Sequence, residues 1–171
     1  MIFYYSKQHK TKTFAHAFGE YLQMDIQPFM SKVLSQKSGL GFMLTALISS
    51  FTGKLYPIDN MHQMPTPMPA EIYIASPIWG GRLSAPVRYF LQHAPLQNTK
   101  VHLILTAGAP VSKYKRTALD YLSTIQCIRG DCYLFATSSK SPPEKDVLLE
   151  QLPRIMEQMM EANQMEANQH E

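Results

Sequence analysis

Short unbroken apolar runs alternate along this chain with stretches whose apolar residues recur every three or four positions. Residues 1–5 (MIFYY) form an aromatic and β-branched run bounded by polar residues 6–12, as expected of a strand buried on both faces. Phe14, Ala17, Phe18, Tyr21 and Leu22 then share one stripe of a helix that begins near Thr11. Residues 71–76 (EIYIAS) lead in the same way into 85–91, where Val87, Phe90 and Leu91 are apolar, and 100–107 (KVHLILTA) lead into a helix over 114–125. A last strand at 132–137 (CYLFAT) precedes Pro142 and Pro143, which mark a helix start, and then Val147, Leu148, Leu152, Ile155, Met156 and Met159.

Such alternation dictates an α/β fold. Parallel neighbours need a crossover long enough to return over the sheet, so each helix packs on a face and both faces become covered. A chain of 171 residues is the length of one ordinary domain. That domain is expected over 1–160, with 161–171 as a frayed tail, because the tandem MEANQ at 160–169 offers no new apolar face. The least regular region is 24–60, which holds a weak strand signal at 24–29 and a helix over 40–51. The three prolines of 62–69 make that segment an extended connector. The 40–51 helix (LGFMLTALISSF) is more apolar than a solvent-facing helix requires, which leaves two placements open: the core, or an interface with a second copy in a homodimer.

Composition excludes several classes. Hydrophobic residues at 45% and charged residues at 17% exclude a largely disordered chain. No window has the length of a membrane-spanning helix and the N-terminal apolar run is too short for a signal-peptide core, so the expected location is cytoplasmic, with no membrane partner. A formal charge of +3 gives no strong directional field and does not imply nucleic acid. Cys127 and Cys132 form neither a CxxC pair nor a disulfide framework. His16, His62, His93, His102 and His170 have no metal-ligand spacing, so no metal site is expected, and no G-x-S-x-G elbow is present.

In a doubly wound sheet ligands lie outside the carboxyl ends of the strands. The loop after the first strand, Ser6-Lys7-Gln8-His9-Lys10-Thr11, places hydroxyls, amides and lysines at the positive end of a helix, which suits a phosphate; the same residues also serve as caps and solvated charge. Ser76-Pro77-Ile78-Trp79-Gly80-Gly81 sets the only tryptophan beside two glycines, where it can stack on a planar ligand or cover the core. Thr106-Ala107-Gly108-Ala109-Pro110 is small enough for a flat ring to approach its backbone, and is equally an ordinary Gly/Pro turn.

Residues 2–6 with Thr11, the run SPIWGGRLSAPVRYFL at 76–91 and LILTAGAP at 103–110 resemble the flavodoxin family over roughly the first 160 residues. The Leu-Gly-Phe stretch at 40–42, with the helix after it and Gly53-Lys54, is similar to an insertion in one subgroup of small flavodoxin-like proteins. The resemblance implies a five-stranded parallel sheet of order 2-1-3-4-5 and flavin mononucleotide (FMN) as cofactor. It implies that Ser6, Gln8, His9, Lys10 and Thr11 form the phosphate loop. Pro77, Ile78, Trp79 and Gly80 would line one side of the ring, and Thr106, Ala107 and Gly108 the other.

Two departures stand out. Gln8 replaces the threonine and His9 the glycine of the family's S-x-T-G-x-T loop, and a histidine is strained where that glycine serves a positive φ. Lys7, Lys10 and Lys12 make the loop unusually basic, which supplies an electrostatic route to phosphate affinity that salt would weaken. The resemblance implies an electron carrier or an FMN-dependent oxidoreductase, with a nicotinamide donor or a redox protein as partner. The altered loop keeps a second reading open, a flavodoxin-fold binding or regulatory protein that has lost FMN. No catalytic side chain is nominated, since the flavin carries that chemistry.

Overall fold

The computed structural model describes residues 1–109, 111–137 and 144–168, with side chains as far as Glu157. Pro110, Pro142, Pro143 and the side chain of Met159 lie outside the described residues. The elements run β1 (Ile2–Tyr4), α1 (Lys10–Tyr21), β2 (Ile26–Pro28), α2 (Lys32–Ser35), α3 (Gly39–Thr52) and a 3-10 turn (Met61–Gln63). They continue with β3 (Glu71–Trp79), β4 (Arg82–Leu83), α4 (Ala85–His93), β5 (Lys100–Ala107), α5 (Ser112–Leu122), β6 (Ile128–Ala136) and α6 (Lys145–Asn168).

Five strands pair in parallel in the order β2-β1-β3-β5-β6, and the two-residue β4 pairs antiparallel with the end of β3. The expected order 2-1-3-4-5 is therefore present, renumbered by the insertion of β4. Strand alternation sends successive side chains to opposite faces. Phe3 packs with Phe29 and Phe90 on the face covered by α4 and α5, while Ile2 and Tyr4 pack with Phe14 and Phe18 of α1 and Leu152 of α6 on the other.

Three local expectations are corrected, and one short helix is added. Residues 77–79, read as loop, continue β3, and the chain then reverses at Gly80 (φ 52°) and Gly81 (φ 83°), the paired positive φ angles that a tight hairpin turn demands. β6 begins four residues before the apolar run, at Ile128, because Gly130 lets its backbone lie against the His102 ring; a Cβ there would stand 2.8 Å from ring atoms. The connector opens with the 3-10 turn at Met61–Gln63, since its first proline comes only at Pro65. The short α2 has too few residues to show a period.

The helix over 40–51 is present as α3, and its placement is the reverse of a core helix. Thr45, Ala46, Ser49 and Ser50 face the protein, while Leu40, Met43, Leu44, Leu47, Ile48 and Phe51 are exposed. The inward hydroxyls are used. Ser50 Oγ donates to the Trp79 carbonyl at 2.6 Å, and the buried Arg88 guanidinium donates to the Ser49 carbonyl and hydroxyl, both at 2.9 Å. Arg88 also reaches the carbonyls of Leu83, Gly53 and Lys54, so it binds the carbonyl end of α3 to α4.

Candidate functional site

The carboxyl ends of β1, β3 and β5 open into a cleft of about 280 Å³. Ser6, Lys7, Gln8, Lys10 and Thr11 line it from the first loop and α1, Pro77, Ile78 and Trp79 from β3, and Thr106, Ala107 and Gly108 from the end of β5. All three loop regions singled out in the sequence meet here. Phe42 and Met43 of α3 and Thr137 after β6 complete the lining. No carboxylate is among these residues, so the cleft is cationic at one end and apolar at the other.

The polar end is built on the start of α1. Its first turn directs backbone N–H groups that have no intrahelical acceptor toward the loop, and carries Lys10 and Lys12 with no acidic residue. His9, at the helix N-cap, has φ 62° and ψ −19°. The loop thus keeps the left-handed turn at a position that would ordinarily be glycine, and histidine is among the residues that tolerate it best. The His9 side chain is exposed and outside the cleft lining, so it does not fill the space beside the amides. Thr11 and Thr106, both buried, share a hydrogen bond of 2.8 Å between hydroxyls that ties α1 to the end of β5.

Lys7 has a different position from the one its charge suggests. Its Nζ donates to the Leu34 and Ser35 carbonyls at 3.2 and 3.1 Å and lies 5.5 Å from the Phe42 ring centroid. It anchors α2 and α3 to the first loop and contributes charge to the cleft from the side.

The apolar end is built around Trp79. Tyr5 and Phe42 meet its ring edge-on at centroid distances of 5.5 and 5.3 Å, both with interplanar angles of 86°. Trp79 is 9% exposed and belongs to the core cluster, yet it lines the cleft. Part of Trp79 packs in the core and part lines the cleft. Burial drives the Tyr5 hydroxyl well above the ordinary phenol pKa, so it stays neutral beside Trp79.

Gly80 does not line the cleft; its backbone packs on α3, and a Cβ would stand 2.8 Å from that of Ser50. Its glycine serves the turn and this approach. Sequence reasoning missed Phe42, Met43 and Thr137 as lining residues. Thr137 follows a strand at the same sheet edge and was accessible to the same rule; the position of α3 was not, because that helix is held by hydroxyls and Arg88.

Among the described residues no group of His, Cys, Asp and Glu side chains could hold a metal ion, and no helix is long and apolar enough to cross a membrane. Cys127 and Cys132 are both free thiols.

No family model matches the sequence, and no curated protein sequence does. Solved structures do match. A protein from Bacteroides uniformis ATCC 8492 with a provisional flavoprotein assignment superposes with a TM-score of 0.66 at 14% identity, over 90% of this chain and 96% of that one. A flavoprotein in complex with FMN from Lactobacillus acidophilus NCFM gives 0.57 at 18% identity, over 78% and 90%. General stress protein 14 from Treponema denticola, also in complex with FMN, gives 0.52 at 12% identity, over 92% and 95%. At these identities the likeness is one of fold, and the fold is flavodoxin-like.

Proposed function

We propose that the cleft binds FMN and that the protein is a flavin-dependent oxidoreductase. One observation carries the reading. A single cleft at the carboxyl edge of the sheet joins a hydroxyl-bearing, cationic helix start to an apolar end held by Trp79. That polarity suits a ligand with a phosphate at one end and a flat ring at the other. Ser6, Gln8, Lys10 and Thr11 would hold the phosphate. Pro77, Ile78 and Trp79 would lie along one side of the ring, and Thr106, Ala107 and Gly108 along the other. His9 would act through the backbone, by keeping the loop in its left-handed turn.

The residues present fit this cofactor. The first loop holds a left-handed turn at His9, the His9 side chain is exposed and outside the cleft lining, and no carboxylate is among the described residues that line the cleft. Two of the solved structures described above are FMN complexes, which supports the same assignment. When bound, FMN supplies hydride and electron transfer; the chain supplies binding, orientation and a partly dry site.

The net positive charge and the apolar Phe42 and Met43 at the cleft favour a nicotinamide-dependent reductase with a planar acceptor of the quinone type over a carrier that docks on a basic partner. The decisive test is a fluorescence titration with FMN and with riboflavin at low and high salt. FMN is expected to bind more tightly than riboflavin, by a margin that shrinks as salt rises. Failure to bind either compound at any salt overturns the assignment and leaves the binding-module reading. With FMN bound, nicotinamide oxidation in the presence of a quinone then separates reductase from carrier.

A further inference from the structure

We infer that two copies of this chain pair through the outer face of α3, with the two helices antiparallel. The inference does not depend on what the cleft binds. Leu40, Leu44, Leu47 and Phe51 follow one another at spacings of four, three and four, the narrow seam by which one helix packs on another, with Met43 and Ile48 beside it. Leu40 is 83% exposed and Phe51 76%.

Together these six residues expose on the order of 700 Å² of largely apolar surface. That exceeds the largest patch of an ordinary monomer. It is an upper bound on what this helix face can bury, against the roughly 800 Å² per partner of a standard interface.

The occupant that matches this seam is a second seam of the same length, and a two-fold axis supplies one. The antiparallel arrangement sets Leu40 against the partner's Phe51 and Leu44 against the partner's Leu47, large side chains meeting along the whole helix. In that register Lys37 stands opposite the partner's Lys54, a like-charge contact that salt screens. From Ile26 to Ile58 the chain has no acidic residue, so no carboxylate is buried by the pairing. Phe42 and Met43 belong both to α3 and to the cleft lining, so the second copy stands at the rim of each cleft.

The test is the mass of the full chain in solution, by light scattering over a range of concentrations, for the native sequence and for Leu47→Glu. The native chain is expected at twice 19.5 kDa, and the variant at 19.5 kDa with at least a hundredfold weaker association and with the melting temperature the native chain shows at concentrations too low for pairing. Leu47→Cys and Leu40→Cys fix the direction. In an antiparallel pair Leu47 lies close to its own counterpart and oxidises to a cross-linked dimer. Leu40 lies about 16 Å along the axis from its counterpart and does not. A native chain that is monomeric throughout, a dimer that survives Leu47→Glu, or cross-linking through Leu40→Cys alone each overturns the proposal. Sedimentation with vesicles containing anionic lipid, by a monomeric native chain, overturns it in favour of a lipid surface. FMN binding in the Leu47→Glu monomer shows that the cleft and the pairing stand or fall separately.

Discussion

α1 and α3 flank the same cleft and are both rich in apolar residues, yet they present opposite faces to the protein. α1 buries Phe14, Ala15, Ala17 and Phe18 against the sheet and leaves Lys12 and Glu20 outside. α3 buries Thr45, Ala46, Ser49 and Ser50 and leaves its leucines outside. An apolar stripe therefore shows which face of a helix will be covered, but whether the cover lies in the same chain is a separate matter. Where hydroxyls and a buried guanidinium do the holding, the stripe is free to serve something else.

Truncation separates the two faces most sharply. Phe18 is fully buried between α1 and the rings of Tyr133 and Phe135, so Phe18→Ala is expected to cost about 3–5 kcal/mol in urea unfolding. Leu44→Ser, measured at concentrations too low for pairing, should stay within about 0.5 kcal/mol of the native chain. A loss of several kcal/mol for Leu44→Ser under those conditions would mean that α3 packs by its leucines after all.

The polar attachment of α3 comes next. Arg88→Met removes the donors of the Ser49, Gly53, Lys54 and Leu83 carbonyls and is expected to cost about 3 kcal/mol. Ser50→Ala leaves the Trp79 carbonyl without its 2.6 Å partner and should cost about 1–2 kcal/mol. Because Trp79 lines the cleft, both variants should also change the tryptophan fluorescence of the folded protein. An unchanged emission spectrum in either would show that α3 does not position the Trp79 side of the cleft.

This contrast also marks how far the sequence could be read. The parallel sheet was legible because β1, β3 and β5 are apolar on both faces and their helices carry ordinary inward stripes. The cleft was legible because ligand sites in such sheets lie at one edge, and Ser6–Thr11, Pro77–Trp79 and Thr106–Gly108 fall there. Phe42 and Met43 were not found, since a helix attached through Ser49, Ser50 and Arg88 gives no periodic signal of its inner face. The hairpin at Gly80 and Gly81 was read as a loop around a ring, because a glycine pair does not say whether its freedom serves a turn or a ligand. The early start of β6 was hidden by Arg129, Gly130 and Asp131, a polar, glycine-centred sequence usually found in turns.

The smallest effects come from two of the left-handed residues at the ends of these helices, His9 and Gly53. Gly53 ends α3 at φ 76° with nothing near the space a Cβ would occupy, and His9 begins α1 at φ 62° with its side chain exposed. Neither position is crowded, so both substitutions read backbone preference rather than contact. Gly53→Ala is expected to cost about 1 kcal/mol, since a Cβ disfavours this region by roughly 1–2 kcal/mol and the less flexible unfolded chain returns part of that. His9→Gly should run the other way and gain at most about 1 kcal/mol, with the same two contributions reversed. Thermal unfolding of both variants checks the pair. FMN titration of His9→Gly sharpens it, because the loop already holds the turn and affinity should rise by no more than a few-fold. A gain of many hundredfold would mean that the histidine, and not the basic loop around it, governs how this cleft meets a phosphate.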